Sequence, residues 1–132
     1  MYANYDLDIP QSLDEALDVL ASNKDSATSL LAGGTNLIID IRSKRERPTR
    51  VVGIGGIAEL RGIECTEDRV TLGSGTTVTD LLNSSEIAEA APSIADAARV
   101  FAGHMVRNTA TVGGNIACGS PAADLVPPLM SL

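Results

Sequence analysis

The residues of this chain that could do chemistry are few, and most of them lie in one small-residue stretch, "TATVGGNIACGSPAADL" at 109–125. Thr109, Thr111, Asn115 and Ser120 offer neutral hydrogen-bonding groups. Gly113 and Gly114 offer exposed backbone amides, and Ala110, Ala117, Ala122 and Ala123 leave room around them. This composition suits a large polar ligand lying along the backbone, with N–H groups as donors in place of lysine or arginine. Asp124 has a different chemistry. A carboxylate accepts hydrogen bonds and disfavours phosphate, so the ribose or ribityl hydroxyls of a nucleotide cofactor are its natural partners. The alternative is that Asp124 caps the turn before Pro127 and Pro128.

A second glycine pair sits in "LLAGGTNL" (30–37). Here a strand delivers Gly33 and Gly34, and Thr35 or Asn36 then caps a helix, an arrangement that points several free N–H groups at a phosphate. The alternative is a tight strand-to-helix turn with no ligand. Two such glycine loops could clamp a pyrophosphate between them. By contrast, "VVGIGGIAEL" (51–60) matches G-x-G-x-x-A through Gly53, Gly55 and Ala58. A dinucleotide fingerprint needs a long helix directly afterwards and a later acidic residue, whereas Gly62 stops the helix within a turn. No P-loop pattern occurs.

The remaining reactive types point away from side-chain catalysis. Cys65 and Cys118 form no C-x-x-C or zinc spacing and His104 is the only histidine, so this chain alone builds neither a zinc site nor an iron–sulfur cluster. Cys118 is expected to be a buried small side chain, because a nucleophile needs a partnered base and none is found. His104 is expected to be a satisfied or surface histidine. Arg107 and Asn108 are expected to brace the glycine stretch by hydrogen bonds to carbonyls. No catalytic residue and no metal ligand is assigned.

The elements that must position these residues follow from periodicity. "PQSLDEALDVLAS" (10–22) is an amphipathic helix with Leu13, Ala16, Leu17 and Leu20 on one face, and Ser12 with Glu15 forms a capping box. Residues 27–43 read as strand, glycine turn and helix, and 49–60 as a strand followed by a short helical piece. Residues 62–75 read as a hairpin turning at "TEDR". Two helices are expected in 76–102, one over about 77–83 and one entered by Pro92. This order predicts an α+β chain in two lobes, 1–52 and 53–132, divided where Pro48 and three glycines interrupt the pattern.

Bulk properties bound the function. In 132 residues with a net charge of −7, the 10 basic residues gather only at "RSKRER" (42–47). That excludes a nucleic-acid footprint and leaves a solvated loop or a docking point for an acidic partner. The N-terminus has no basic or apolar signal region and no run is long enough to span a membrane, so a cytoplasmic, reduced protein is expected.

Three segments together, "AGGTNL" (32–37), "GIAELRGIE" (56–64) and "VRNTATVGGNIACGSPAADLVPPL" (106–129), resemble the flavin-binding subunit or domain of the molybdenum hydroxylases, the xanthine dehydrogenase and carbon monoxide dehydrogenase group. The resemblance implies a two-lobed α+β fold of the vanillyl-alcohol oxidase type holding FAD. It places the diphosphate loop on Leu30, Leu31, Ala32, Gly33, Gly34, Thr35, Asn36 and Leu37. It places further cofactor contacts on Phe101, on Ala110, Thr111, Gly113, Gly114 and Asn115, and on Ala123 and Asp124. FAD is expected to be non-covalent, since His104 lies outside any flavin-linking motif, and only Tyr2, Tyr5 and Phe101 could stack on a flavin ring.

The implied partners are a large molybdopterin subunit and a small [2Fe-2S] subunit, with electrons passing through FAD to an external acceptor. Family members continue past the equivalent of residue 132, so a truncated chain is expected. The rival readings are an assembly module without redox turnover and a self-contained FAD-dependent oxidase.

Overall fold

The computed structural model describes residues 4–131, so Tyr2 lies outside the described residues. The chain divides into two units, the first ending at Glu59 and the second starting at Leu60. The division falls later than the 52/53 boundary read from the sequence. A cut there would sever the central strand of the first unit.

That unit is built on a parallel three-stranded sheet, β1 (Asp6–Asp8), β2 (Thr28–Leu31) and β3 (Arg50–Gly53), in the order β1-β3-β2. Helix α1 (Leu13–Ser22) carries the chain from β1 to β2 and leaves one strand position between them. Helix α2 (Leu37–Arg42) returns the chain to fill it with β3. A central strand needs apolar residues on both faces, and Val51 and Val52 are fully buried. The edge strand β1, which the periodicity did not reveal, is only three residues long. Arg50 holds it from the facing position, pairing with Asp8 and, at 3.1 Å, with Asp6.

Local rules set the start of α1. Ser12 Oγ accepts the Glu15 N–H at 3.2 Å, as a capping box requires, but the Glu15 carboxylate reaches back to the N–H of Gln11 at 2.8 Å instead of that of Ser12. Glu59 adds a carboxylate at the same helix end by accepting the Leu13 N–H at 3.2 Å. Its own backbone N–H and that of Leu13 hold the Glu59 carboxyl below the usual carboxylate range. The expected apolar face is only partly covered: Ala16 is buried, while Leu13 and Leu17 stay exposed. Of the basic residues at 42–47, Arg42 ends α2 and the others lie in the exposed turn after it, where Arg45 pairs with Asp40 at 2.6 Å, as a solvated loop would.

A single 3-10 turn, Ala58–Leu60, spans the border, and the second unit then opens with an antiparallel hairpin, β4 (Ile63–Cys65) and β5 (Val70–Leu72), turning at 66–69 as expected. At the hairpin's open end the buried Thr76 hydroxyl accepts the Gly62 N–H at 3.1 Å and donates to the Gly62 carbonyl at 2.9 Å. Six helices follow: α3 (Val78–Asn83), α4 (Ser85–Ala90), α5 (Pro92–Val100), α6 (His104–Arg107), α7 (Val112–Ala117) and α8 (Val126–Met130). Their core gathers Val78, Leu81, Ile87, Ile94, Ala98, Phe101, Val112 and Leu125.

Four of these helices, α4, α6, α7 and α8, depart from the sequence reading, and α4 and α7 show why. Helix α4 lies in a stretch read as a connection, because six residues with one fully buried side chain, Ile87, show no measurable period. Helix α7 replaces the expected glycine loop. Glycine costs a helix about 1 kcal/mol against alanine, so two in a row argue against one. Here a long-range contact overrides that preference: the Gly113 N–H donates to the Ser74 carbonyl at 2.8 Å, and a Cβ on Gly113 would stand 2.9 Å from that oxygen and 2.7 Å from the Ser74 Cβ.

Three stability outcomes follow from this packing and capping. Gly113→Ala should lose on the order of 1–3 kcal/mol in urea denaturation, since overpacking against backbone outweighs the gain in helix propensity. Gly56→Ala, whose Cβ would meet nothing within 4 Å, should leave the midpoint unchanged. Thr77 and Asp80 form a complete capping box on α3, and Thr77→Ala should cost about 1 kcal/mol in the same assay.

Candidate functional site

In the first unit the candidate site is the turn between β2 and α2. The backbone N–H groups of Gly33, Gly34, Thr35 and Asn36 donate to no acceptor among the described residues. A helix start leaves such donors without intrahelical partners, and here the turn is partly exposed, so they are open to an acceptor from outside the chain. Gly34 makes the turn with φ of 71°, in the left-handed region, where a Cβ would also come within 3.0 Å of Leu31 Cδ1 and 3.2 Å of Ile38 Cγ1. Its carbonyl is turned inward and accepts the Ile38 N–H at 3.2 Å.

Side-chain capping by Thr35 or Asn36 does not occur. Asn36 is the N-cap by position, but its φ of −106° and ψ of −54° are already helical, and its side chain makes no cap hydrogen bond. An N-cap oxygen reaches the first amides from extended backbone, so this conformation leaves them open. Of the flanking candidates, Leu30 is exposed, while Leu31, Ala32 and Leu37 are half-buried.

The second unit treats its glycine pair the opposite way. Thr111 sits in extended conformation as the N-cap of α7, and its hydroxyl accepts the Gly114 N–H at 3.1 Å. With the Gly113 N–H held by Ser74, neither glycine presents the free amide expected of it. The reason is that the segment is the capped start of a helix, whose leading donors are satisfied internally. Ser74, Thr76 and Thr77, which the sequence reading did not single out, are the residues that organise this start. The capping-box spacing Thr77-x-x-Asp80 was the available signal.

What this region does present is a carboxylate. Asp124 is exposed and its side chain makes no hydrogen bond or ion pair among the described residues. It does not cap α8, whose N-cap position is Leu125 without a side-chain bond. Its neighbours Ala123 and Leu125 are buried, 5% and 1% exposed, so the backbone on both sides of Asp124 is anchored. Asn115 reaches this segment: its Oδ1 accepts the Leu125 N–H at 3.1 Å. Ser120 Oγ accepts the Ala122 N–H at 3.1 Å, and Thr109 spends its hydroxyl on the carbonyls at the end of α6. Phe101, Ala110 and Ala123 are buried, the first two within the core cluster, so none of the three presents an open side chain to a ligand.

The other singled-out residues sort simply. Arg107 is expected to brace the glycine stretch, but its Nη1 donates to the Arg99 carbonyl in α5 at 3.0 Å, and its buried Nε has no partner among the described residues. Asn108 instead accepts the Thr79 hydroxyl at 2.7 Å. His104 is exposed at the first position of α6. Cys118, expected to be buried, is exposed at the C-cap of α7, where its thiol donates to the Asn115 carbonyl. Among the described residues no group of three His, Cys, Asp or Glu side chains could hold a metal, and no helix is long and apolar enough to cross a membrane.

The profile of the FAD binding domain in molybdopterin dehydrogenase matches residues 3–132. The chain is 39% identical over 120 residues to the xanthine dehydrogenase FAD-binding subunit of Escherichia coli O157:H7, covering 90% of this chain and 40% of that protein. It is 36% identical over 115 residues to the carbon monoxide dehydrogenase medium chain of Hydrogenophaga pseudoflava, covering 87% of this chain and 40% of that one. Among solved structures it is similar to a carbon monoxide dehydrogenase from Hydrogenophaga pseudoflava lacking the Mo-pyranopterin moiety of its cofactor. The TM-score is 0.85 at 34% identity, over 92% of this chain and 42% of that one. The chain thus spans about two-fifths of the length of these curated relatives. With an α+β architecture, a donor-rich glycine turn and a profile match over nearly its whole length, the chain belongs to the family of FAD-binding domains of molybdopterin dehydrogenases.

Proposed function

We propose that this chain holds FAD non-covalently through residues 30–37 and through residues 110–115 with Asp124. In this reading the loaded protein serves a molybdenum-containing hydroxylase or dehydrogenase. It takes electrons from the [2Fe-2S] clusters of a small partner chain, fed by a large molybdopterin chain, and passes them to an external acceptor. The observation that carries the reading is the run of four unpaired N–H groups at 33–36 in a member of an FAD-binding family.

The residues present suit the cofactor's chemistry. A diphosphate is a dianion, and a protein of net charge −7 must bind it by dipoles if not by cations; four consecutive amides without acceptors among the described residues can supply them. The missing side chain of Gly34 lets the ligand approach that backbone. Asp124, exposed and unpartnered, accepts hydrogen bonds from sugar or ribityl hydroxyls. Thr111 and Gly113 act indirectly, by fixing the start of α7. Bound FAD would supply the electron-transfer chemistry of the complex. The protein's part is binding, orientation and the electrostatic setting of the flavin.

Titration with FAD, followed by flavin fluorescence quenching and the visible flavin absorbance, tests the binding claim. Gly34→Val places a β-branched residue at positive φ and a Cβ in the turn, and should weaken both FAD and ADP by at least about tenfold. Riboflavin, which lacks phosphate, should be unaffected, and circular dichroism should show the helices retained. Equal FAD affinity in wild type and variant would make Gly34 a turn-former only. Protein that takes up no FAD at all would favour the assembly-module reading. Electron flow is tested separately: substrate should bleach the flavin only when the large and small partner chains are present, and bleaching without them would favour a self-contained oxidase.

A further inference from the structure

We infer that Asn115 is a positioning residue for Asp124: its side-chain carbonyl closes the 115–125 loop at Leu125 and so sets where the Asp124 carboxylate points. The inference rests on the reading of Asp124 as an FAD hydroxyl acceptor, and it gives Asn115 a role other than direct contact with the cofactor.

The geometry is specific. After α7 the chain reverses at Gly119, with φ of 59°, and runs back through Ser120, which holds the Ala122 N–H with its hydroxyl and the Ala123 N–H with its carbonyl at 3.1 and 3.0 Å. The far end of the loop is tied by one side chain, Asn115, through Oδ1 to the Leu125 N–H at 3.1 Å. Leu125 is 1% exposed, so no solvent substitutes readily for that acceptor. A buried N–H left unpaired costs more than the hydrogen bond it made, which gives this contact leverage over the loop.

Asp124 lies between two buried residues, Ala123 and Leu125, and immediately precedes the tied amide. Its side chain has no partner of its own among the described residues, so its direction is inherited from the backbone. Asn115 is itself placed by α7, where its N–H donates to the Thr111 carbonyl at 2.9 Å. The capped start of α7 and the carboxylate are thereby linked through one amide side chain. One lone pair of Oδ1 is committed to Leu125, and the Nδ2 group donates to no acceptor among the described residues.

Two readouts test this. Hydrogen exchange of the full protein, read at the Leu125 amide, should speed about tenfold in Asn115→Ala and return toward wild type in Asn115→Asp, whose carboxylate still accepts. FAD dissociation constants should be measured for wild type, Asn115→Ala, Asp124→Ala and the double variant. Asn115→Ala should weaken FAD on the order of fivefold, the worth of one hydrogen bond, and the double variant should bind no worse than Asp124→Ala. Multiplying effects in the double variant would overturn the inference, since Asn115 would then act independently of Asp124. Unchanged exchange in Asn115→Ala would overturn it as well. Unchanged FAD affinity in Asp124→Ala would instead reject Asp124 as a cofactor ligand, with the exchange result still judging whether Asn115 sets the loop.

Discussion

Everything in the second unit that bears on function depends on one short antiparallel contact between residues 74–78 and 110–113. Three backbone bonds make it: Gly113 N–H to Ser74, Val112 N–H to Thr76 and Val78 N–H to Ala110, at 2.8, 2.9 and 3.0 Å. Thr77 and Thr111 face each other across it as an isolated bridge, and each is the N-cap of the helix that follows. One pairing therefore fixes the origin of α3 and of α7. Because Thr76, Thr77 and Thr111 are all buried there, losing the contact would strand polar groups without solvent, so it is held cooperatively.

This constraint explains why two glycine pairs of similar appearance have different physical states. At 113–114 the missing side chains serve close packing against Ser74 and a capped helix start, and the amides are consumed internally. At 33–34 the missing side chains serve a left-handed turn, and the amides are left without acceptors. Free donors favour an anionic ligand; consumed donors hold the framework that presents other groups. In the proposed binding of FAD the first pair supplies dipoles, whereas the second supplies rigidity to the region from which Asp124 projects.

The first unit obtains its turn from a different source. A parallel sheet requires a crossover between strands, and each crossover must leave a strand end, reverse and enter a helix. The turn at 32–36 is such a reversal, and the ordering β1-β3-β2 puts it beside the central strand, where the Ile54 N–H donates to the Leu31 carbonyl at 2.9 Å. Arg50, bonded to two carboxylates of β1, keeps the short edge strand in register. The free amides are thus carried on a sheet that does not depend on them.

The sequence by itself determined the elements whose signals are local: the helix capped by Ser12, the strand and helix around Gly33 and Gly34, the hairpin turning at 66–69 and the helix entered by Pro92. Periodicity and caps act over a few residues, so their effect is readable without the fold. The resemblance of 32–37 and 106–129 to the molybdenum hydroxylase flavin domains likewise identified the family. Tertiary structure alone decided the rest. It made a helix of 112–117 against the propensity of two glycines, because Ser74 leaves no room for a Cβ; it consumed the amides expected to be free; and it left Cys118 exposed. It also joined Asn115 to Leu125 across ten positions, a pairing that no local pattern encodes because it exists only once the chain has turned back on α7.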